Sequence, residues 1–390
     1  MNKSKSILFH YSIFNIGGAE KSVLRLTKLL LDKGWDVTLV LTTGGGNLEG
    51  QIDPRVIVHR LRSAAAGNKF KKAKGLQKIQ QISDLMLYGL FWLEGLFKSF
   101  TFLFRHYDAA AVSLHGLSPK FVCKYVRATK RFHWVRNDLS AADTDGKAAN
   151  NIQKYHLCID QYICVSQTAL DSLQRLFPET RQKSLVIPNV IEAEQMLVSA
   201  ELEEDPLLQY KNSLKVITVC RLSDKAKGLL RMVKVHKRLA DEGIDFMWFV
   251  VGDGLDREMM QKAIDKAELS TNMILVGSKE NPFPYFKAAD ISATLSYYEG
   301  LCGAVNEAKV IGKPVLATQF SGINEQIVNE ESGLIVANDE DAIYEGFKRL
   351  LIDHELREKL TNQALPKMIM DDDYKIEKLL SLIDEDVTAK

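Results

Sequence analysis

The sequence carries almost no net charge of either sign: 51 lysines and arginines face 50 aspartates and glutamates, for a formal net charge of +1. A basic excess is the electrostatic footprint of a nucleic-acid binder, so no nucleic-acid partner is expected. Cysteine is scarce as well. The five (Cys123, Cys158, Cys164, Cys220 and Cys302) are scattered, odd in number and free of any C-x-x-C or zinc spacing. They read as reduced core thiols, with no metal site. No Asp-x-Asp stands at the end of an apolar strand to hold a divalent cation. No signal-peptide cleavage pattern follows MNKSKSILFHYSIF, which runs straight into a strand, so a cytoplasmic location is expected. The apolar stretch 85–104 is broken by Glu94, Lys98 and two glycines, which argues against a transmembrane span.

What the chain does have is ordinary globular composition, 46% hydrophobic and 26% charged, and a length of 390 residues that suits two domains. Apolar runs of strand length fall near 6–12, 36–42, 55–60, 109–115, 131–136, 161–166 and 184–188. A second series falls near 215–221, 246–252, 273–277, 291–296, 314–318 and 333–336. Helical periodicity separates most of them, and strand–helix alternation predicts parallel sheets joined by crossover helices. The expected division is a first domain over 1–190, a polar linker over 191–214 and a second domain over 215–370. A helix over 371–390 closes the chain.

Three predicted strand ends in the second half carry chemistry where open α/β sheets bind ligands. VCRLSDKAKG (219–228) ends a strand at Arg221 and continues through Lys225 and Lys227. VVGDG (250–254) places Gly252 and Gly254 at a turn, and Gly277 closes the next strand. In YYEGLCGAVNEAKVIG (297–312), Glu299 lies on a strand-to-helix loop and Glu307 about one turn into the helix. Free N–H groups at such a helix start suit a diphosphate, here through Cys302, Gly303 and Ala304. Carboxylates repel phosphate, so the two glutamates suit neutral hydroxyls of a sugar or ribose. A nucleotide-sugar combines both chemistries.

In order and spacing these segments resemble the family 4 glycosyltransferases. IGGAEKSVLRLTKLLLDKGWDVTLV (16–40) is similar to the family's glycine loop, helix and second strand. CVSQTALDSL (164–173) and VIPNVIE (186–192) are similar to its domain-closing segment, and GKPV and SGINE complete the likeness. The resemblance implies a GT-B architecture, α/β, with two Rossmann-like domains whose parallel sheets face each other across a cleft and a last helix crossing back to the first domain. It implies a retaining transferase that needs no cofactor or metal. The sugar, a hexose or similar, would come from a nucleoside-diphosphate donor, with UDP favoured. The acceptor would be a glycan or polyprenyl-diphosphate-linked glycan, in synthesis of surface polysaccharide such as lipopolysaccharide or capsule. An epimerase or hydrolase of nucleotide-sugars, or a catalytically silent partner subunit, are the alternatives.

By the same resemblance Arg221 and Lys227 neutralise the leaving diphosphate, Glu299 binds the donor sugar, Glu307 the ribose, and Gly17 and Gly18 let the first-domain loop approach the ligand. The sequence departs from the family at two places. Ala226 occupies the usual lysine position, so Lys227 or Lys225 takes that role, the Lys-Gly pair favouring Lys227. Arg136 stands where many relatives have a cleft histidine, with His133 on the opposite face of the strand and His115 a further cleft candidate. Residues 69–105 combine a lysine cluster with an aromatic run. Two readings stand: a core helix, or an amphipathic helix docking the protein on an anionic membrane surface at the inner face of the cell membrane.

Overall fold

The computed structural model describes residues 4–15, 17–62, 93–143, 145–361 and 364–384. The chain forms two compact units, one of residues 1–165, 169–189 and 373–390, the other of residues 166–168 and 190–372.

The first unit holds a seven-stranded parallel sheet of β1 (Ser6–Tyr11), β2 (Asp36–Thr43), β3 (Ile57–Arg62), β4 (His106–Val112), β5 (Arg127–Val135), β6 (Gln161–Cys164) and β7 (Ser184–Val186). Its order, β3-β2-β1-β4-β5-β6-β7, reverses direction between β1 and β4. At such a switch point the crossovers leave on opposite faces and open a crevice at the carboxyl ends of the strands. Helix α1 (Gly18–Asp32) starts there. Val23, Leu26 and Leu30, spaced by three and four residues, bury one face of it, and Gly34 ends it at φ +83°. Each such side chain contributes about 1.5–3 kcal/mol on burial. Replacing Val23 by Asp would break that packing.

The second unit repeats the plan with β8 (Lys215–Val219), β9 (Met247–Val251), β10 (Met273–Gly277), β11 (Ile291–Thr294), β12 (Val315–Thr318) and β13 (Leu334–Val336). The order β10-β9-β8-β11-β12-β13 puts its switch point between β8 and β11. Trp248, Val250, Leu316 and Phe347 sit in its core, and the Trp248 indole N–H donates to Thr218 Oγ1 at 3.0 Å.

Two expectations need correction. Cys123 and Cys158 are joined as a disulfide, with Cα atoms 6.0 Å apart, and are not free thiols; Cys164, Cys220 and Cys302 are. The helices Lys120–Tyr125 and Lys147–Tyr155 lie in successive crossovers of one sense, which lay them on the same face of the sheet. Cys123 accordingly packs against the buried cluster to which Ala148 and Ile152 belong. Residues 191–214 are likewise no loose linker. Helix Ala193–Glu201 buries Met196 and Ala200, four residues apart, and the Asn281 amide donates to Ser199 O at 2.8 Å. Of the glutamates that give the stretch its polar character, Glu194 and Glu201 lie on the exposed side of that helix, and Glu203 and Glu204 are exposed just beyond it. The closing helix, Asp372–Asp384, buries Ile376, Leu379 and Ile383, and from Asp373 onward it is counted in the first unit.

Candidate functional site

In the second unit the sequence candidates gather at the carboxyl ends of β8 and β11, on either side of the switch point. After β8 the chain makes a single helical turn, α2 (Asp224–Lys227), and then α3 (Leu229–Asp241). Gly228 joins them at φ +64°, where a Cβ would also approach Leu295 O to 2.7 Å. Glycine is therefore required there on two counts. The Asp224 carboxylate accepts from Leu230 N at 2.8 Å and fixes the turn against α3.

This turn gives the two lysines different surroundings. Lys225 points to solvent, whereas the Lys227 ammonium forms an ion pair with the Glu299 carboxylate. Ser296 Oγ donates to the same Glu299 oxygen at 2.8 Å, and Tyr297 N donates to Ala226 O at 2.8 Å, tying the β11 loop to the β8 loop. Burial alone would lower the Lys227 pKa, but Glu299 overrides it and raises the value above that of an ordinary lysine. Lys227 is a fixed cation. Arg221 is exposed, with no ion-pair partner among the described residues. The sequence reading gave Lys227 and Glu299 separate ligand groups; the structure makes them one charge-balanced pair.

After β11 the loop enters α4 (Gly303–Val310) through Cys302, and no side chain caps the first turn. Gly303 and Ala304 therefore lie where N–H groups lack partners within the helix. Cys302 needs correction as a diphosphate contact, because its N–H is taken by Gln326 Oε1 at 2.9 Å. Its thiol is buried, and burial with the Glu299 charge pushes it up to about 12, far from a reactive thiolate. Glu307 is 7% exposed on the same helix. Gln326 and Asn306, which bond each other at 2.5 Å beneath this loop, escaped sequence reasoning.

Packing accounts for two of the predicted ligand glycines. A Cβ at Gly252 would lie 1.8 Å from Cys220 O, and one at Gly254 would lie 2.2 Å from Leu222 O. The turn after β9 lies flat against the segment after β8, with Cys220 N on Val251 O and Leu222 N on Asp253 O, both at 3.0 Å. Gly277, at φ +86°, accepts from Gly252 N at 2.9 Å.

In the first unit, Gly17 precedes α1 in extended conformation and Gly18 begins it. A Cβ on Gly17 would meet the Glu20 carboxylate at 2.4 Å, and one on Gly18 would meet nothing within 4 Å. Arg136, just past β5, is buried and spoken for. Its guanidinium donates to Ser113 O at 2.8 Å, Asn189 Oδ1 at 2.7 Å and Ser22 Oγ at 3.2 Å. Burial pushes it down to about 10, still a cation at neutral pH. The Arg136 N–H donates to His115 Nδ1 at 3.3 Å, and burial, against Asp143 and with Arg136, pulls His115 down to about 4. His115 is thus neutral, with its remaining proton on Nε2. His133 is fully buried, with Nε2 on Leu114 O at 3.1 Å, and does not share the Arg136 cluster.

Two family models match successive stretches of the chain: Glycosyltransferase Family 4 over residues 16–195 and Glycosyl transferases group 1 over residues 199–365. An uncharacterized glycosyltransferase of Methanocaldococcus jannaschii is 26% identical over 292 residues, 69% of this chain and 71% of that protein. The N-acetylgalactosamine-N,N'-diacetylbacillosaminyl-diphospho-undecaprenol 4-alpha-N-acetylgalactosaminyltransferase of Campylobacter jejuni is 27% identical over 213 residues, 54% of this chain and 56% of that one. Among solved structures, HepE of Anabaena in complex with UDP and glucose superposes with a TM-score of 0.72 at 15% identity, covering 98% of this chain and 100% of that one.

Proposed function

The chain belongs to the family 4 glycosyltransferases and has their GT-B fold, and on that premise we propose that it transfers a hexose or similar sugar from a UDP-sugar to a glycan, with retention and without a metal. The observation that carries this reading is the Lys227–Glu299 pair set beside the uncapped start of α4 at the switch point of the second sheet. Departure of a nucleoside diphosphate builds negative charge on its outer phosphate. Fixed donors aimed at that charge stabilise the transition state more than the ground state. Lys227, the exposed Arg221 and the Gly303 and Ala304 N–H groups are such donors. With Lys227 on the phosphate, Glu299 is left to orient a donor hydroxyl and Glu307 to hold the ribose. The resemblance assigns the acceptor proton to the leaving phosphate, so no protein base is required, and the engagement of Arg136 within its own unit is compatible with turnover.

A polyprenyl-diphosphate-linked acceptor is favoured by the Campylobacter relative, whose name states a diphospho-undecaprenol substrate. A membrane-surface location agrees with it: Leu93, Phe97, Phe100 and Phe104 are exposed, spaced four, three and four residues apart. Lys69, Lys71, Lys72, Lys74 and Lys78 of the same segment lie outside the described residues. No helix among the described residues is long and apolar enough to cross a membrane. The test is a panel of UDP-, GDP- and ADP-hexoses, scored by thermal stabilisation and by release of nucleoside diphosphate with a lipid-linked acceptor. Stabilisation by UDP-sugars and transfer with retained anomeric configuration are expected; an inverted product, or response to none of the donors, would refute the reading.

A further inference from the structure

We infer that Gln326 is a positioning residue of the donor site, which sets the α4 entry so that its first N–H groups meet the diphosphate; the inference rests on the reading of that site given above. Gln326 is 1% exposed and lies after β12, 24 residues beyond Cys302. Its carboxamide spans the Cys302 residue on both sides: Oε1 accepts from Cys302 N at 2.9 Å and Nε2 donates to Cys302 O at 2.8 Å. Nε2 also donates to Asn306 Oδ1 at 2.5 Å. A planar amide that grips one residue's N–H and C=O together fixes both backbone dihedrals of that residue. Cys302 is held at φ −78° and ψ 111°, the extended geometry from which a helix can start at Gly303.

Burial of Leu301 and Cys302 anchors the loop, and the grip adds what packing does not, a fixed backbone orientation at the entry to α4. Glycines stand on either side of the Leu301–Cys302 step, Gly300 before it and Gly303 after it, and α4 has no side-chain cap. Free rotation about Cys302 would swing the Gly303 N–H, and a displacement of a few tenths of an ångström already degrades a preorganised donor. The loop also meets its neighbour at close range, since a Cβ on Gly322 would lie 1.9 Å from Gly300 O. Gln326 thus reaches Cys302 from a segment whose backbone is already seated against the loop. It touches no substrate and acts through Cys302.

The experiment compares UDP with uridine, which lacks the diphosphate, by calorimetry on the full chain. Gln326→Met keeps side-chain length and apolar packing but makes none of the three bonds. It should weaken UDP binding about tenfold or more while leaving uridine within about twofold, because only the phosphate donors are disturbed. Asn306→Leu removes the third bond and leaves the Cys302 grip, so its ratio of UDP to uridine affinity should match the wild type. Gln326→Glu, which keeps only the acceptor, serves where the methionine variant does not fold, and should lower the ratio as well. A UDP-to-uridine ratio unchanged in the Gln326 variants, or lowered equally by Asn306→Leu, would overturn the inference alone. Wild-type protein that binds neither UDP, GDP nor ADP would overturn the donor-site reading and this inference with it.

Discussion

Lys227 and Glu299, 72 residues apart in the chain, form a part-buried ion pair across the switch point of the second sheet. Neither charge stands alone: Glu299 holds the Lys227 ammonium protonated, and the pair presents one cationic and one anionic end to a ligand. Breaking it strands the other member in a site with little water, which is costlier than losing an exposed surface pair.

Lys227→Ala should lower turnover by roughly 2–4 kcal/mol of barrier, the effect of removing one preorganised group that meets developing charge. Arg221→Ala should act in the same direction and leave the fold intact, since Arg221 is exposed. Lys225→Ala, one turn position away and solvent-facing, serves as the contrast and should be near wild type. Steady-state kinetics of the three proteins decide it: a damaging Lys225→Ala with a silent Lys227→Ala would reverse the assignment.

The two glutamates should separate kinetically. Glu307 lies deep on α4, and ribose contacts form equally in ground and transition states, so Glu307→Gln should raise KM for the donor with a smaller change in kcat. Glu299 is coupled to the cation that meets the leaving group, so Glu299→Gln should lower kcat more. Identical changes in both constants for the two variants would mean the roles are misassigned.

Acid should destabilise the protein through its buried histidines. Burial pushes His133 and His236 down to about 4, against an ordinary value of 6.5. The unfolded chain binds these protons near pH 6.5, and the folded one only near pH 4. Their contribution is therefore complete above pH 6.5 and lost as pH falls from 6.5 through 4, on the order of 1–3 kcal/mol per ring. Urea midpoints measured between pH 7.5 and 4.5 should fall across that window, and His236→Phe should flatten the slope. A stability profile level across the window would contradict the burial of neutral rings.

The thirteen strands among the described residues were legible because buried parallel strands are written as short apolar runs, MWFVV and VLAT among them. Polar starts were less so: β5 begins at Arg127, four residues ahead of its apolar run, where exposed and half-buried side chains alternate. What sequence could not supply were pairings between distant positions. The Cys123–Cys158 bond, the Lys227–Glu299 pair and the Gln326 grip on Cys302 each join segments 24 to 72 residues apart. No local pattern marks them, since they depend on how crossovers stack. At Gly252 and Gly254 the distant partner is backbone, since a side chain there would meet Cys220 O and Leu222 O, and no local pattern shows that approach either.

Membrane docking is the remaining prediction, and the exposed row of Leu93, Phe97, Phe100 and Phe104 gives it a surface. Residues 93–101 are helical, with Gly95 and Ser99 on the buried side and Ser99 Oγ bonded to Gly95 O at 2.6 Å. Large apolar side chains four, three and four apart on the outer side are the arrangement of a helix lying in a bilayer interface. Arg105 follows the row and suits anionic headgroups, at on the order of 1 kcal/mol near such a surface, whereas Lys98, within the row, is paired with Glu94 at 2.7 Å. Two forces of different salt dependence should then be separable. Co-sedimentation with vesicles of phosphatidylglycerol and phosphatidylcholine should be strong at low salt and partly retained at high salt, the retained part reflecting apolar insertion. Phe97→Ser with Phe104→Ser should abolish the salt-resistant part and leave the activity toward a soluble acceptor unchanged. Protein that stays in the supernatant with anionic vesicles at low salt would rule the surface out as a lipid contact, and a soluble glycan would then be the better acceptor to pursue.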